Sequence, residues 1–343
     1  MIYHVTCNTD DNYLQHCCAM LCSLFENNKE MTFHVHLLTH GLAAESKIFV
    51  NSLCQRYGHK INMYDVDETK LEGVKFRKNR PLTKAAYYRI LLPELLDENI
   101  ERVLYLDCDI IILGSVKELF ELNLDNYALA ACEDLCPTDD CHRRQLEMDL
   151  NDKAFCSGMM MVNLKFWREH ESEKMLIDFS KKERGHIYYH DQDALNYVFK
   201  RQWYSLPFKW AKAPFGIAII DNRNRPSDIN EYVFTPKIIH YATEMKPWYD
   251  VWTPRRKYYV KYLKISLFPN AKLDHVCVSF RLKTWIANLR YILNRFVRPF
   301  IPNLLEMIVI DIFNVFLILY TLLFKHKNIK HLLLSLWLKK YKN

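Results

Sequence analysis

The chain has 343 residues, half of them hydrophobic and 25% charged, with a formal net charge of +7. This composition excludes intrinsic disorder and simple fibrous proteins, and the length allows one large domain or two ordinary ones. Residues 251–343 contain 17 of the 47 basic residues but only three of the 40 acidic residues, a net charge of +14, whereas residues 1–250 carry −7. We therefore predict an acidic body over residues 1–250 and a basic, apolar tail over residues 251–343.

The 11 cysteines are irregularly spaced, and a chain of this length does not need disulfides to stabilise its core. Cys17, Cys18 and Cys22 lie in an apolar helical stretch and are predicted to be core residues. One set of side chains carries zinc-ligating groups, namely Cys132, Cys136, Cys141 and His142. Its spacing differs from the usual paired zinc motifs, so this remains a minor hypothesis. The chain opens on a strand-like run rather than a secretory signal, and we expect a reducing cytosol.

The first hundred residues alternate between two kinds of apolar pattern. Runs typical of strands lie at residues 2–7, 33–39, 61–66 and 102–106. Helical spacing lies between them, at residues 11–25, 43–57 and 84–96. This alternation predicts an α/β fold with a mainly parallel sheet covered by helices. Ligands of such folds bind beyond the carboxyl ends of the strands, where Asp10 and Asp107 follow two predicted strands. The chain has no GxxxxGK[ST] or GxGxxG motif, so a bound nucleotide needs another way to neutralise its phosphates.

Two carboxylates, Asp107 and Asp109, interrupt an otherwise apolar run at residues 103–112. Buried carboxylates need a cationic partner, and residues two apart on an extended chain point the same way. The pair therefore predicts a site for a hard divalent ion, Mg²⁺ or Mn²⁺. An ordinary turn or helix cap is the alternative for an isolated D-x-D sequence.

His240 ends the strand-like run at residues 237–240. An imidazole that completes a site with two carboxylates would favour Mn²⁺ over Mg²⁺. Taken alone, His240 is more typical of a core or loop histidine than of a metal ligand.

Six segments, in order over residues 1–250, resemble the retaining, metal-dependent family 8 glycosyltransferases. They are DDNY at 10–13, YYR at 87–89, LYLDCD at 104–109, FCSG at 155–158 with MVNLKFWR at 161–168, HDQDALN at 190–196, and IHY at 239–241 with KPW at 246–248. The family includes bacterial lipopolysaccharide α-galactosyl- and α-glucosyltransferases and the self-glucosylating glycogen primers. The resemblance implies a GT-A fold and a UDP-hexose donor.

The resemblance also implies roles for individual residues. The implied metal ligands are Asp107, Asp109 and His240. The implied donor-binding residues are Asp10, Asn12, Tyr13, Arg89, Ser157, Gly158 and Lys246. The implied catalytic residues are Asp191 and Gln192. In this scheme Tyr13 stacks on uracil, Lys246 contacts the diphosphate as a point charge, and Arg89 and Asp191 bind sugar hydroxyls. Gln192 lies beneath the anomeric carbon.

Retention of configuration has two explanations in this family. Either a residue on the lower face of the sugar attacks, or the acceptor arrives on the face that UDP leaves. An amide is a poor nucleophile, so we favour the second route, with the Gln192 carbonyl stabilising an oxocarbenium-like centre.

Three positions depart from the family pattern. Cys156 replaces a common asparagine, and its thiol hydrogen-bonds only weakly. Thr243 replaces a glycine, and Pro81 replaces a histidine found in some relatives. These changes bear on the choice of sugar more than on the class of reaction.

The tail contains a mostly apolar segment at residues 304–324, about 31 Å long as a helix. Its polar residues fall on one stripe, which favours a helix lying in the plane of an anionic membrane surface over one that spans the bilayer. Residues 331–341 add an apolar run with a tryptophan suited to the interface. A helical cap on the catalytic domain or on a second subunit is the alternative. No nucleic-acid motif accompanies the basic residues, so no nucleic-acid partner is expected.

We therefore predict a cytoplasmic enzyme, peripherally attached to the inner face of the cell membrane. It would transfer glucose or galactose from a UDP-sugar to a lipopolysaccharide or other glycan, with Mn²⁺ or Mg²⁺ as cofactor. One alternative is a soluble-acceptor or self-glycosylating transferase of the same fold. Another is a membrane-bound sugar-nucleotide-binding protein without turnover.

Overall fold

The chain alternates between strands and helices, as its apolar patterns predict. A computed structural model describes residues 1–75, 84–134, 140–149, 151–182, 187–211, 235–242, 246–249, 253–271 and 273. The strands are β1 (Ile2–Asn8), β2 (Thr32–Thr39), β3 (Lys60–Asp65), β4 (Arg102–Leu106), β5 (Ile110–Ile112), β6 (Leu129–Glu133), β7 (Phe155–Asn163), β8 (Trp203–Leu206) and β9 (Ile238–His240).

The helices fill the connections between these strands. The α-helices are α1 (Leu14–Glu26), α2 (Ala44–Arg56), α3 (Leu92–Leu95), α4 (Lys117–Phe120), α5 (Asp140–Gln145), α6 (Leu164–Glu169), α7 (Ser172–Lys181), α8 (Asp191–Val198) and α9 (Arg256–Ser266). Short 3₁₀ helices lie at Glu68–Leu71, Lys84–Leu91 and Phe208–Trp210.

Within the described residues, seven strands form one sheet in the order β3-β2-β1-β4-β7-β6-β8. Neighbouring strands are parallel except where β7 pairs with β4 and β6. The central strands are buried almost throughout, as expected for a sheet with helices on both faces. A small antiparallel ladder joins β5 to β9. The predicted α/β class with a mainly parallel sheet is confirmed.

The predicted helix over residues 84–96 differs from the structure. The chain forms a 3₁₀ helix over Lys84–Leu91 and only then α3, which has Pro93 near its start. Proline has no N–H to donate to the preceding turn, and it is tolerated in the first turn of an α-helix. The α-helical bonding therefore begins at Leu92 instead of running through the proline.

The cysteine predictions have two outcomes. Cys17, Cys18 and Cys22 are fully buried in the core, as predicted. The zinc hypothesis is not supported among the described residues, because Cys132 donates to the Pro207 carbonyl and His142 pairs with Asp193. Cys141 is exposed, and Cys136 lies outside the described residues.

The chain divides into two compact units. The first comprises residues 1–246 and 254–272 and contains both sheets and helices α1–α9. The second comprises residues 247–253 and 273–343, of which the structure describes 247–249, 253 and 273. The apolar segments predicted at 304–324 and 331–341 lie outside the described residues. Among the described helices, none is long and apolar enough to cross a membrane.

Helix α9 lies in the part of the chain that its charge assigns to the tail, yet it belongs to the first unit. The Tyr259 hydroxyl lies 2.7 Å from Nδ1 of His16 on α1. The Tyr262 hydroxyl accepts a hydrogen bond of 2.7 Å from Asn27 at the end of α1. These buried tyrosines make α9 a structural part of the body.

Candidate active site

The candidate site lies at the carboxyl edge of the large sheet, where the neighbouring strands β1 and β4 end. Asp107 follows β4 directly, and its N–H donates to the Gly158 carbonyl on β7 at 2.8 Å. The β5–β9 ladder pairs Ile110 with His240, which brings a residue from far along the chain beside the D-x-D segment. The local apolar sequence of each strand therefore fixes where these polar side chains meet.

The structure brings together the three residues predicted as metal ligands. His240 Nε2 lies 3.2 Å from Asp109 Oδ1 and 3.8 Å from Asp107 Oδ2. One ligand atom from each residue lies within 4.8 Å of the other two. Two carboxylates and one imidazole make a donor set that suits Mn²⁺ or Mg²⁺, with the nitrogen favouring Mn²⁺.

Gly158 leaves room for this cluster. A Cβ atom at residue 158 would lie 2.2 Å from His240 Cε1, 2.6 Å from His240 Nε2 and 2.9 Å from Asp107 Oδ2. These distances are too short for any side chain, so glycine is required for the strand to approach the imidazole. Side chains of the cluster, His240 and Asp107, occupy the space that a side chain at residue 158 would need.

The charges of the cluster favour a cation. Burial disfavours the charged form of Asp109, but Lys246 and His240 together hold the pKa of Asp109 well below its usual range. Burial also opposes protonation of His240, but Asp109 outweighs that effect and raises the His240 pKa well above its usual value. Asp109 Oδ1 is buried and faces His240 Nε2 at 3.2 Å without a well-aligned hydrogen bond to it. An acceptor oxygen of this kind, facing an imidazole and a second carboxylate, fits a metal ligand.

Arg89 contacts the cluster through the Asp107 carboxylate. Its guanidinium is 5% exposed and donates to Asp107 Oδ1 at 2.8 Å and to the Ser157 carbonyl at 2.8 Å. It also lies 4.1 Å from the ring centroid of Tyr105, whose hydroxyl donates to Asp107 Oδ1 at 2.7 Å. Asp107 therefore presents one oxygen to Arg89 and Tyr105 and the other to His240.

Asp191 begins α8 and contacts the same arginine. Its Oδ2 lies 3.2 Å from Arg89 Nε. Burial raises the pKa of Asp191 to about 6; Arg89 opposes this shift and the Asp107 charge adds to it. Arg89 thus lies between the buried Asp191 carboxylate and the partly buried Asp107 carboxylate, which repel each other.

Gln192, the next residue of α8, is held at both ends of its amide. Its Oε1 accepts the Ser157 N–H at 3.0 Å, and its Nε2 donates to Asp134 Oδ2 at 2.8 Å. Because both ends are fixed, the amide has one orientation in the site.

The predicted uridine segment, residues 10–13, lies at the exposed end of β1. Asp10 Oδ1 accepts the Tyr13 N–H at 2.9 Å, which forms a turn before α1. Asn12 is exposed, and the Tyr13 ring is 40% exposed with its edge on His16. Lys246 pairs with Asp109, which links it directly to the cluster.

Three residues that contact the predicted site are absent from the predicted set. Tyr105 lies two residues before Asp107 on one strand face, so alternation along β4 indicates its position. Asp134 follows β6 directly, which is the same strand-end signal that indicates Asp107. Cys156 lies 3.5 Å from His240 Nδ1, opposite the nitrogen that faces the carboxylates. Sequence analysis noted Cys156 only as a departure from the family, since its contact with His240 spans 84 residues.

The fold matches that of a solved glycosyltransferase. A galactosyltransferase, LgtC, solved with donor and acceptor sugar analogues, superposes with a TM-score of 0.70 and 23% identity. The match covers 82% of this chain and 99% of that one. This architecture is the GT-A fold, and it confirms the predicted fold class.

The chain belongs to glycosyl transferase family 8, whose sequence pattern matches residues 4–251. General stress protein A of Bacillus subtilis is 32% identical over 259 residues, covering 72% of this chain and 87% of that protein. A lipopolysaccharide 1,2-glucosyltransferase of Escherichia coli is 27% identical over 257 residues, covering 72% and 74% respectively. The protein is therefore a glycosyltransferase, and the resemblance stated from its motifs is confirmed.

Proposed function

We propose that this enzyme transfers a hexose, with retention, from a UDP-hexose to a lipopolysaccharide or other glycan acceptor, and that it depends on Mn²⁺. The observation that carries the proposal is the meeting of Asp107, Asp109 and His240 over Gly158. The donor set and the buried Asp109 oxygen that faces His240 both support a divalent cation there.

Asp107, Asp109 and His240 would hold the ion. When bound, the ion supplies Lewis-acid stabilisation to the diphosphate of the departing UDP. Arg89 and Tyr105 keep Asp107 in one rotamer through the hydrogen bonds they donate to its Oδ1. Residues that orient a metal ligand in this way contribute as much to affinity as to geometry.

The remaining predicted residues would bind the donor around this centre. Asp10 and Asn12 would hydrogen-bond uridine at the exposed end of β1, and the accessible ring of Tyr13 would stack on uracil. Lys246 would contact the diphosphate, because its ammonium group already lies beside Asp109. Ser157 and Gly158 would line the donor pocket.

Arg89 and Asp191 would act at the sugar. Asp191 is the better placed of the two to meet a hydroxyl group, since most of the Arg89 donors already serve Asp107, Ser157 and Ala86. We therefore propose that the Asp191 carboxylate accepts a hydrogen bond from a sugar hydroxyl. The Arg89 guanidinium lies between Asp191 and Asp107 and reduces the repulsion between them.

Gln192 would stabilise the anomeric centre as positive charge develops. Its Oε1 accepts the Ser157 N–H at 3.0 Å and, at a longer 3.4 Å, the Ser157 hydroxyl, and the lone pair of the longer contact could turn to an electron-poor carbon. Gln192→Ala should slow transfer by about 10² to 10³-fold but leave measurable turnover. Complete loss, with donor affinity and folding intact, would instead support a covalent role for the side chain.

The basic tail would hold the enzyme against an anionic membrane. Helix α9 supports this, because Tyr259, Tyr262 and Leu263 are buried while Lys257, Lys261 and Lys264 are exposed. Truncation after residue 272 keeps α9 and removes the rest of the tail. It should weaken binding to vesicles that contain anionic lipid, and unchanged, salt-insensitive binding would contradict the membrane proposal.

The experiment for the reaction is UDP release from UDP-glucose and UDP-galactose, with and without Mn²⁺ and a glycan acceptor. Asp109→Asn should reduce Mn²⁺-dependent release by about a thousandfold or more, because the ion contributes several kcal/mol to the transition state. Asp125→Asn, an exposed carboxylate outside the site, is the matched control and should leave the rate unchanged. Equal rates in the two variants would overturn the proposal.

A further inference from the structure

Three histidines, His4, His34 and His36, face one another on the sheet, away from its carboxyl edge. In the parallel pairing of β1 and β2, His4 lies opposite His34, and His36 is two residues further along β2. Residues two apart on a strand share a face, so all three imidazoles project from the same side. We call these residues the histidine cluster.

The ring nitrogens of the histidine cluster are close enough to share one ion. His4 Nδ1 lies 2.9 Å from His36 Nε2, and one nitrogen from each of the three rings lies within 4.8 Å of the other two. His34 Nε2 is buried and has no hydrogen-bond partner among the described residues. A buried nitrogen without a partner, facing two others, needs a ligand to satisfy it.

An outer contact orients one of the three rings. His36 Nδ1 lies 2.9 Å from the Tyr64 hydroxyl on β3. Metal-ligating histidines in proteins use their second nitrogen in this way.

Metal binding needs a free lone pair on each ring, and a neutral imidazole has one. If His36 carries its proton on Nε2, it can move to Nδ1, because the Tyr64 hydroxyl can accept as well as donate a hydrogen bond. His36 Nε2 then has a free lone pair.

We propose that the histidine cluster is a second metal site, selective for Zn²⁺ and distinct from the centre at Asp107. Three imidazoles and no carboxylate favour borderline transition metals over Mg²⁺ or Mn²⁺, and Zn²⁺ accepts three protein ligands plus water. An ion there would link β1 to β2 and stabilise the sheet without entering the transfer reaction.

Lys60 opposes this site and provides a test of it. Its charge acts on all three histidines of the cluster. A nearby ammonium repels a divalent cation, so Lys60→Gln should tighten metal binding by about two- to fivefold. No change in affinity would contradict the placement of the ion in the cluster.

The direct experiment uses full-length Asp109→Asn protein, in which the carboxyl-edge centre is weakened, stripped of metal and titrated with Co²⁺. We expect one equivalent to give visible ligand-field bands that Zn²⁺ displaces, and Zn²⁺ to raise the Tm. His34→Gln and His4→Gln should each weaken Co²⁺ binding by at least about tenfold. His170→Gln, an exposed histidine on another part of the surface, should not.

Two results would overturn the proposal. One is the absence of ligand-field bands in the parent protein, and the other is identical titrations of the parent and His34→Gln. Circular dichroism of each variant checks folding. If His34→Gln fails to fold, His4→Gln and Lys60→Gln decide the outcome, because His4 lies on β1 and Lys60 lies on β3.

Discussion

The two clusters of potential metal ligands in this protein are built in opposite ways. The cluster at the carboxyl edge, Asp107, Asp109 and His240, combines hard oxygens with one nitrogen from a strand far along the chain. The histidine cluster contains nitrogens only and lies on adjacent strands near the start of the chain. By its donor atoms, the first suits Mn²⁺ or Mg²⁺ and the second suits Zn²⁺.

The supporting contacts differ as much as the ligands. The carboxyl-edge cluster is held by a buried arginine and a lysine, which balance its negative charge. The histidine cluster has imidazole ligands, and the Tyr64 hydroxyl lies 2.9 Å from the outer nitrogen of His36. A cluster of charged ligands therefore needs charged neighbours, whereas a cluster of neutral ligands does not. The following substitutions compare the two clusters and their surroundings.

The largest effect on stability is expected from Arg89→Met. It would leave the buried Asp191 and the partly buried Asp107 without their cation, at a cost of about 3 kcal/mol or more in the free energy of unfolding. Arg201→Met, which removes a guanidinium that is 60% exposed, should change the free energy of unfolding far less. Urea denaturation measures both, and similar costs would show that Arg89 does not balance buried charge.

Gly158→Ala should impair the activity that depends on the carboxyl-edge cluster while the protein stays folded. The new methyl group would displace His240, and we expect transfer to fall by at least about a hundredfold, since small misplacements at a reacting centre are that costly. Gly114→Ala is the control, because its Cβ would meet only the flexible Lys237 side chain. Mn²⁺-dependent UDP release decides the matter, and wild-type rates in Gly158→Ala would contradict the site.

The two centres should also respond independently. His34→Gln should lower Co²⁺ affinity by about tenfold or more yet keep the wild-type rate of sugar transfer within about twofold. Asp109→Asn should lower the rate of sugar transfer and leave the Co²⁺ affinity of the histidine cluster unchanged. Loss of transfer in correctly folded His34→Gln protein would show that the clusters are coupled.

The smallest effect is expected at the contact between α9 and α1. Tyr259→Phe removes the hydrogen bond to buried His16 and should cost about 1 kcal/mol of stability. Tyr258→Phe, on a less buried position of the same helix, should cost almost nothing. If both variants match wild-type stability, α9 does not depend on this contact.

Sequence reasoning predicted the parts of the fold that depend on local pattern. The strands before Asp10 and Asp107 are apolar runs whose ends are visible in the sequence, and Asp109 follows from alternation. The residues next to His240 do not distinguish a metal ligand from a core histidine. The family motif that contains His240 implies a metal ligand. The 3₁₀ helix before α3 differs from the predicted α-helix because Pro93 has no N–H to donate to the preceding turn, and apolar spacing does not distinguish the two kinds of helix.

The remaining features depend on contacts between distant segments. Nothing in the sequence states that His4 pairs with His34, because the register of β1 on β2 is set by packing of the whole sheet. Net charge assigned α9 to the tail, although its buried tyrosines already have a helical spacing. Charge describes a surface, whereas the apolar face decides where a helix packs.

The most direct test of the central claim is a crystal structure of the full chain with Mn²⁺ and UDP, using anomalous scattering to locate manganese. We predict a manganese peak bonded to Asp107, Asp109 and His240, with the uracil ring against Tyr13. A peak elsewhere, or UDP bound away from the carboxyl edge of the sheet, would contradict the assignment of the active site.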